Sequence, residues 1–215
     1  MSHSCWFRSR ITRALPRVTA ACTLLSVPAL ALAWVLTVNP GPREIFLQVG
    51  NGSYTGFYNT GGTPLNNATI NKVSVTVPAN VVGTGATQAM TSDSTQSQSF
   101  YDGFVVCNPP NQVYVGGWAR LPSGTGTAVL SVTSPANLTS GADTIPFTQI
   151  SWTSTANGNT NPDIPAGTFN GGTLTLTNIA AGTWVENCHT FSYANTKVVA
   201  AGTYTGRVTY TLTLP

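Results

Sequence analysis

The last stretch of the chain constrains the fold more than any other segment, because it alternates with a strict period of two. From residue 203 to residue 214, threonine and arginine occupy the odd positions, and mostly apolar side chains occupy the even ones. In an extended chain successive side chains point to opposite faces, so this segment predicts a β-strand with one buried and one wet face. The large side chains of the predicted buried face are Tyr204, Val208, Tyr210, Leu212 and Leu214.

The rest of the chain carries the same β signal. Only 7% of the residues are charged, and threonine, glycine, asparagine, serine, valine and alanine dominate. Exposed helix faces depend on long and charged side chains, whereas threonine and valine are stiff at χ1 and suit a pleated surface. Short alternating segments with Gly, Pro and Asn between them predict roughly nine or ten strands. We therefore predict an all-β, antiparallel β-sandwich with a single domain.

Two local predictions concern the middle of the chain. Phe100–Cys107 and Val113–Ala119 are predicted to form a hairpin through the Asn-Pro-Pro-Asn sequence of residues 108–111. Two stretches rich in small polar residues, 80–99 and 155–172, are predicted to be long surface loops. Such loops are where a binding site is usually placed.

The first 33 residues have the pattern of a secretory signal peptide. Four arginines within residues 8–17 precede an apolar run that starts at Val18 and ends in Ala31-Leu-Ala33. A basic segment, an apolar segment and a small-residue exit predict export with cleavage after Ala33. The apolar run continues to Val38, about twenty residues in all, which is long enough to span a bilayer. An uncleaved membrane anchor formed by residues 18–38 is therefore the alternative.

Removal of the leader changes the charge balance of the chain. Five basic residues then face six acidic ones, and neither sign is clustered. Nucleic acids and anionic lipids are bound by concentrated lysine and arginine, so these partners are not expected. The two cysteines beyond the leader are Cys107 and Cys188. One pair in an oxidising compartment predicts a disulfide, with two separate buried thiols as the alternative.

The sequence offers little for nucleophilic catalysis. His189 is the one histidine beyond the leader, and it directly follows Cys188. Neighbours on a strand point to opposite faces, so the adjacency indicates no Cys–His pair, and we place His189 on the solvent face of a strand. The nucleophile-elbow pattern Gly-x-Ser-x-Gly is absent from the sequence.

Carboxylates and aromatic residues leave two further possibilities open. A glycosidase needs two acids close together, and the candidates carry no motif around them: Asp102, Asp143, Asp163 and Glu186. No zinc or calcium spacing is found, so no cofactor is expected. Several aromatic side chains could stack on sugars if exposed, but core packing is the favoured explanation for them. They are Trp34, Trp118, Trp152, Trp184, Tyr54, Tyr58, Tyr101, Tyr114 and Tyr193.

The segment after the predicted cleavage site is a candidate donor strand. Residues 34–42 form an N-terminal extension in which Trp34, Leu36 and Val38 share one face, before Asn39-Pro-Gly-Pro42 ends the strand. The remainder, residues 43–215, is the predicted sandwich domain. A sandwich that ends on an edge strand invites pairing with another chain. If the extension of one copy lies along that edge in the next copy, the head-to-tail contacts generate an open filament.

The C-terminal segment resembles that of the chaperone–usher pilins, in particular the archaic, spore-coat-U-like ones. In that family a glycine stands fourteen residues from the end and is followed by alternating apolar residues, and Gly202 holds that position here. The family usually has a tyrosine next to last, where this chain has Leu214, with Tyr210 four residues earlier. Many pilins also join early strands by their disulfide, whereas Cys107 and Cys188 lie in the middle and late parts of this chain.

The resemblance implies a non-enzymatic structural subunit of a bacterial surface fimbria, with a role in adhesion or biofilm formation. Its fold would be an immunoglobulin-like sandwich that lacks its last strand, completed first by a periplasmic chaperone and then by a neighbouring subunit. The expected partners are copies of itself or related subunits, the chaperone, an outer-membrane usher and a host or matrix glycan. The expected location is the periplasm in transit and then the cell surface. The acceptor edge would comprise Gly202, Tyr204, Val208, Tyr210, Leu212 and Leu214.

Two other functions stay open at this point. The chain could be a secreted, monomeric carbohydrate-binding module, whose exposed aromatic side chains grip a glycan. It could also be a secreted hydrolase that uses His189 or a pair of the aspartates.

Overall fold

The computed structural model describes residues 42–67, 69–122, 124–156 and 162–214. These residues form short strands joined by turns, with three 3₁₀ helices at Tyr58–Thr60, Ala79–Val81 and Phe147–Gln149. None of the helices in these ranges is long and apolar enough to cross a membrane. The strands are β1 (Glu44–Val49), β2 (Tyr54–Thr55), β3 (Thr63–Pro64), β4 (Val73–Ser74), β5 (Gln88–Ala89), β6 (Thr91–Ser92), β7 (Val113–Arg120), β8 (Thr127–Thr133), β9 (Asn137–Ser140), β10 (Asp143–Pro146), β11 (Ile150–Ala156), β12 (Gly167–Thr168), β13 (Thr173–Ala180), β14 (Trp184–Tyr193) and β15 (Thr209–Thr213).

Two antiparallel sheets form the body of the domain. The larger sheet has the order β1-β7-β14-β11-β12, with β5 also pairing with β14. The smaller sheet has the order β13-β8-β15. Three short pairs, β2 with β3, β4 with β6 and β9 with β10, lie outside these sheets. The predicted all-β, antiparallel sandwich is confirmed.

The main core lies between the two sheets. It is built from the alternating inward side chains of β7, β11 and β14 in the larger sheet and of β8, β13 and β15 in the smaller one. The fully buried positions include Val115, Leu130, Ile164 and Ile179. Burial of such aliphatic side chains stabilises the fold by about 1.5–3 kcal/mol each.

The central strands β7 and β14 are buried on both faces, because a second aromatic cluster covers the outer face of the larger sheet. This outer cluster contains Phe46, Phe100, Tyr114, Trp118 and the two cysteines. Because the outer cluster covers this face, the first seven residues of β7 are all buried, and burial does not alternate along the strand.

The glycine pair in the middle of β7 has a packing reason. A Cβ atom on Gly116 would lie 2.7 Å from Cζ of Tyr114, so the tyrosine ring occupies the space of the missing side chain. On the other face, a Cβ on Gly117 would lie 2.6 Å from the carbonyl oxygen of Phe46 in β1. The glycines therefore permit close packing within the sheet.

The predicted hairpin before β7 is wrong. Segment 100–107 forms no ladder with β7, and its one strand-like pairing is a bridge between Gln98 and Val105. The physical reason is that β7 already pairs with β1 on one side and with β14 on the other. The segment turns back over the outer face of the sheet, where it places Phe100 and Cys107 in the outer cluster.

The predicted loop at residues 80–99 contains two-residue strands and is tied to the domain by Asn195. This asparagine is fully buried and has a φ of 53°, a left-handed conformation that asparagine tolerates. Its side chain accepts a hydrogen bond from the Gly83 amide at 2.9 Å and donates one to the Val81 carbonyl at 2.7 Å. The second predicted loop, 155–172, is described in part and includes β12.

Candidate functional site

The disulfide between Cys107 and Cys188 is present, as predicted. Its Cα atoms are 5.5 Å apart, and it joins residues separated by 81 positions. Both cysteines are buried, so the bond lies inside the outer cluster. It fixes the covering segment before β7 to the middle of β14.

Three aromatic side chains at the outer cluster form a partly exposed surface, which we call the aromatic patch: Tyr58, Tyr101 and Trp184. The ring centroids of Tyr58 and Trp184 are 5.1 Å apart, those of Tyr101 and Trp184 are 5.7 Å apart, and those of Tyr58 and Tyr101 are 5.9 Å apart. Tyr101 is 39% exposed, and the other two rings are half-buried.

Main-chain hydrogen bonds position the two tyrosines of the patch. Tyr58 starts a 3₁₀ helix, and its amide donates to the carbonyl of Phe100 at 3.0 Å. The amide of Asn59 donates to the carbonyl of Tyr101, also at 3.0 Å. These bonds join two loops that are far apart in the sequence, so the rings are held together by the backbone.

The carboxylate of Glu186 fixes the third ring of the patch, the indole of Trp184, by a hydrogen bond. Its Oε2 atom accepts hydrogen bonds from Ser99 Oγ at 2.7 Å, from the Tyr114 hydroxyl at 2.8 Å and from Trp184 Nε1 at 3.0 Å. The carboxylate is buried, and burial together with its negative charge holds the pKa of Tyr114 well above the usual value. Trp184 is thereby fixed by its indole nitrogen while its ring faces the patch.

A pocket of about 450 Å³ opens on the aromatic patch. Its lining also includes Asp102, Asp163 and Glu186, together with Gly182 and Thr183. The fold therefore brings together three of the four carboxylates considered from the sequence, whereas Asp143 lies in β10. Within the described ranges, no group of His, Cys, Asp and Glu side chains is arranged to hold a metal ion.

His189 is in the main core, so its predicted position on the solvent face is wrong. The side chain is fully buried, with its ring stacked 5.9 Å from that of Trp152 and edge-on to Phe191. Burial lowers its pKa to about 3. The prediction failed because β14 is covered on both faces and has no solvent face at this point. A substrate at the surface does not reach this imidazole.

The strand predicted as an acceptor edge lies at the margin of the smaller sheet. Its ladder with β8 spans only Thr209–Thr213, and upstream Thr205 forms a single bridge with Thr139. The expected faces are nevertheless present: odd positions from 203 to 213 are exposed, and Leu212 is buried. The other large side chains of the inward face are half-buried: Tyr204, Val208, Tyr210 and Leu214.

The edge strands β15 and β1 lie side by side on one side of the domain, which we call the open side because each strand has one unpaired edge among the described residues. Each is the terminal strand of its sheet, and they run close to each other. Among the described strands, β1 pairs with β7 alone and β15 pairs with β8 alone. Leu47 and Val49 of β1 contact the main core from this side while remaining half-buried. The candidate donor residues Trp34, Leu36 and Val38 lie outside the described residues.

Sequence reasoning named Tyr58, Tyr101 and Trp184 among the aromatic residues that could stack on sugars, but it favoured core packing for them and did not predict that they meet. The sequence does contain one usable signal, the Trp-x-Glu spacing of Trp184 and Glu186, which puts both side chains on one face of a strand. The contributions of Tyr58 and Tyr101 depend on loop packing and carry no local pattern.

Comparison with known proteins identifies no family for this chain. No protein-family model, no curated protein and no solved structure matches the chain. Two structural features are therefore available for a functional proposal: the open side between β1 and β15, and the pocket at the aromatic patch.

Proposed function

We propose that this chain is a structural subunit of a bacterial surface fimbria, assembled by donor-strand exchange and serving adhesion or biofilm formation. In this assembly, residues 34–38 of one copy add as a strand to the open side of the next copy. The observation that carries the proposal is that β15 is an edge strand and that Tyr210 in it, with the flanking Val208 and Leu214, is only half-buried.

The open side supplies what strand addition requires. An edge strand presents unpaired amides and carbonyls, and main-chain hydrogen bonds to them give affinity. Specificity comes from pockets for alternate side chains of the added strand. Val208, Tyr210 and Leu214 face the main core yet are half-buried, so a donated strand has apolar surface to cover.

The extension supplies a donor of matching pattern. Trp34, Leu36 and Val38 alternate with Val35 and Thr37, so an extended segment presents three apolar side chains to one face. A segment of one copy that binds a different surface of the next copy makes a heterologous contact. Such contacts generate open filaments when the rotation does not close.

The same chemistry indicates the partners and the compartment. An exposed edge above an incompletely covered core is prone to aggregation before assembly, so the subunit needs a periplasmic chaperone and an outer-membrane usher. The buried disulfide needs an oxidising compartment, in agreement with export through the predicted signal peptide, residues 1–33. The fibre partners are further copies of this chain or related subunits.

The proposal is tested by a pair of matched variants in the extension. The triple variant Trp34→Ser, Leu36→Ser, Val38→Ser removes the face proposed to enter the neighbour. The control Val35→Ser, Thr37→Ser changes the opposite face of the same strand. Mass spectrometry first establishes that the mature N-terminus is the same in each protein.

Electron microscopy and gel analysis without boiling then measure polymer formation. We expect the triple variant to stay monomeric or chaperone-bound, while the control assembles like the parent chain. Normal polymers from the triple variant would show that this segment is not the donor.

A further inference from the structure

We propose that the pocket at the aromatic patch binds a neutral carbohydrate, with one pyranose ring stacked on Trp184 and Tyr101 and its hydroxyl groups bound by Asp102 and Asp163. This site lies on the outer face of the larger sheet, whereas the surface proposed for strand addition is formed by side chains of β1 and β15 that pack against the main core. The inference therefore does not depend on the fimbrial proposal.

The rings of the patch form a platform and not a cage. A quaternary ammonium cage needs rings that face each other across a gap wide enough for the cation. Here the three centroids are 5.1–5.9 Å apart, and the rings are tilted by 32–49°, so they contact one another. Phe46 stacks on one side of the Trp184 ring, with the two ring centroids 5.4 Å apart and their planes inclined by 25°. Tyr101, at 39% exposed, is the most accessible ring of the patch, and the other two rings are half-buried.

A platform of this kind suits the flat face of a sugar. The face of an aromatic ring carries the negative part of its quadrupole, which attracts weakly positive C–H groups. Stacking also removes apolar area of both partners from water, which is favourable in proportion to the area buried. The pocket volume of about 450 Å³ lies within the usual range for small-ligand sites, about 300–1,000 Å³.

The rim of the pocket supplies hydrogen-bond acceptors for hydroxyl groups. Asp102 is half-buried and Asp163 is exposed, and both line the pocket. Carboxylates accept short, charge-assisted hydrogen bonds from hydroxyl donors. No lysine or arginine is among the described residues that line the pocket. An anionic sugar would therefore meet like charge without compensation, which favours a neutral ligand.

The platform is fixed before a ligand arrives. Glu186 holds the Trp184 indole, backbone hydrogen bonds join the loops of Tyr58 and Tyr101, and the disulfide anchors the covering segment. A site that needs no ordering on binding loses less affinity to conformational entropy. The rigid support under Trp184 thus has a binding purpose as well as a structural one.

The pocket could also be considered a glycosidase site because of its carboxylates, but the geometry favours binding. Three donors already converge on one oxygen of the buried Glu186, so this carboxylate serves to hold the platform. The proposal accordingly expects the sugar to be bound and released unchanged.

The test begins with the purified mature protein on an array of neutral, sialylated and sulfated glycans. Proline-rich peptides are included on the array, because they are another class of ligand that binds aromatic surfaces. A neutral hit is then titrated by calorimetry against the parent and four variants. Tyr101→Ala removes part of the platform, and Phe104→Ala is its control, since Phe104 is 73% exposed in the same loop and does not line the pocket. Asp163→Asn removes a rim charge, and Asp143→Asn is the matched change outside the pocket.

We expect Tyr101→Ala to weaken binding by about ten-fold or more, as for the loss of an aromatic anchor, and Asp163→Asn to weaken it measurably. Both controls should bind like the parent. The proposal is overturned by the absence of any neutral hit, by a preference for sialylated, sulfated or peptide ligands, or by equal binding of Tyr101→Ala. Release of a shortened sugar during the titration, detected by mass spectrometry, would overturn it in favour of a hydrolase. Polymer assembly by Tyr101→Ala should be normal. A loss of sugar binding in this variant is thereby distinguished from a failure of the fimbrial proposal.

Discussion

The hydroxyl of Tyr114 donates a hydrogen bond of 2.8 Å to Oε2 of Glu186 beneath the aromatic patch. The two residues lie on the neighbouring strands β7 and β14, on the outer face of the larger sheet. The same oxygen accepts a bond from Ser99 in the covering segment. One buried carboxylate therefore connects the sheet to the layer that carries the pocket, and an ionised group in this position is tolerated because its hydrogen bonds are made.

Tyr114→Phe is expected to destabilise the domain by about 2 kcal/mol. The substitution removes a donor from a buried charged acceptor, and hydrogen bonds to charged groups are worth about 1.5–3 kcal/mol. Chemical denaturation monitored by tryptophan fluorescence measures the loss as a lower midpoint with an unchanged slope.

Tyr204→Phe is the control for that prediction, because it makes the same chemical change at an exposed hydrogen bond. The Tyr204 hydroxyl donates to the Ala200 carbonyl at 2.9 Å in contact with water. Water replaces the lost partner there, so the expected change is within about 0.5 kcal/mol. Equal losses in the two variants would mean that the bond to Glu186 is not special.

Removal of the disulfide by the double change Cys107→Ala, Cys188→Ala is expected to destabilise the domain by about 4 kcal/mol. The bond closes a loop across 81 positions, and the chain-entropy model assigns about that value to a loop of this size. The measurement is the free energy of unfolding in guanidinium chloride. A loss below about 1 kcal/mol would show that the covering segment does not depend on the bond.

The sandwich could be predicted from the sequence because period-two patterning reports burial directly where one face is wet. Thr209–Thr213 shows this, with every odd position exposed as the alternation requires. The prediction of which side chains are buried failed where the outer cluster covers the larger sheet as a third layer. In β14 both faces are buried, so His189 is in the core although alternation suggested the surface.

The candidate sites differ in the same way. The strand proposed as an acceptor is a continuous segment, and its pattern could be found along the sequence. The aromatic patch is assembled from Tyr58, Tyr101 and Trp184, which meet because two loops exchange backbone hydrogen bonds. Contacts of that kind depend on tertiary packing and leave no periodic signal. The disulfide could be predicted from cysteine count and compartment, but not its place inside the outer cluster.

Stability is expected to fall as the pH drops below about 6.5, because His189 is buried in its neutral form. Its pKa is about 3 in the folded chain, whereas an unfolded histidine titrates near about 6.5. Between these values the unfolded chain binds a proton that the folded chain does not, so the stability present above pH 6.5 is lost toward pH 3. The slope approaches about 1.4 kcal/mol per pH unit. Denaturation midpoints measured between about pH 7 and pH 5 test this, since most carboxylates titrate below that window.

His189→Leu should remove the slope in that window, because leucine has no proton to gain. Asp93→Asn is the matched control. A hydrogen bond from Asn71 lowers the pKa of Asp93, so its contribution is lost only below the ordinary carboxylate range and the slope between pH 7 and pH 5 should persist. A parent chain whose stability is flat over this range would contradict the assignment of a buried, neutral His189.

Two glycines near the acceptor strand are expected to respond differently to alanine. A Cβ on Gly206 would lie 2.6 Å from Cε2 of Phe147, a core ring that is only 3% exposed, and 2.9 Å from Cδ2 of Leu138. A Cβ on Gly202 would lie 2.5 Å from the Ser140 hydroxyl, which can rotate away. Gly206→Ala should therefore cost about 1–3 kcal/mol through overpacking, and Gly202→Ala about 0.5 kcal/mol or less. Thermal unfolding of both variants measures the order. The reverse order would mean that the fold of the domain requires the missing side chain at Gly202 more than at Gly206.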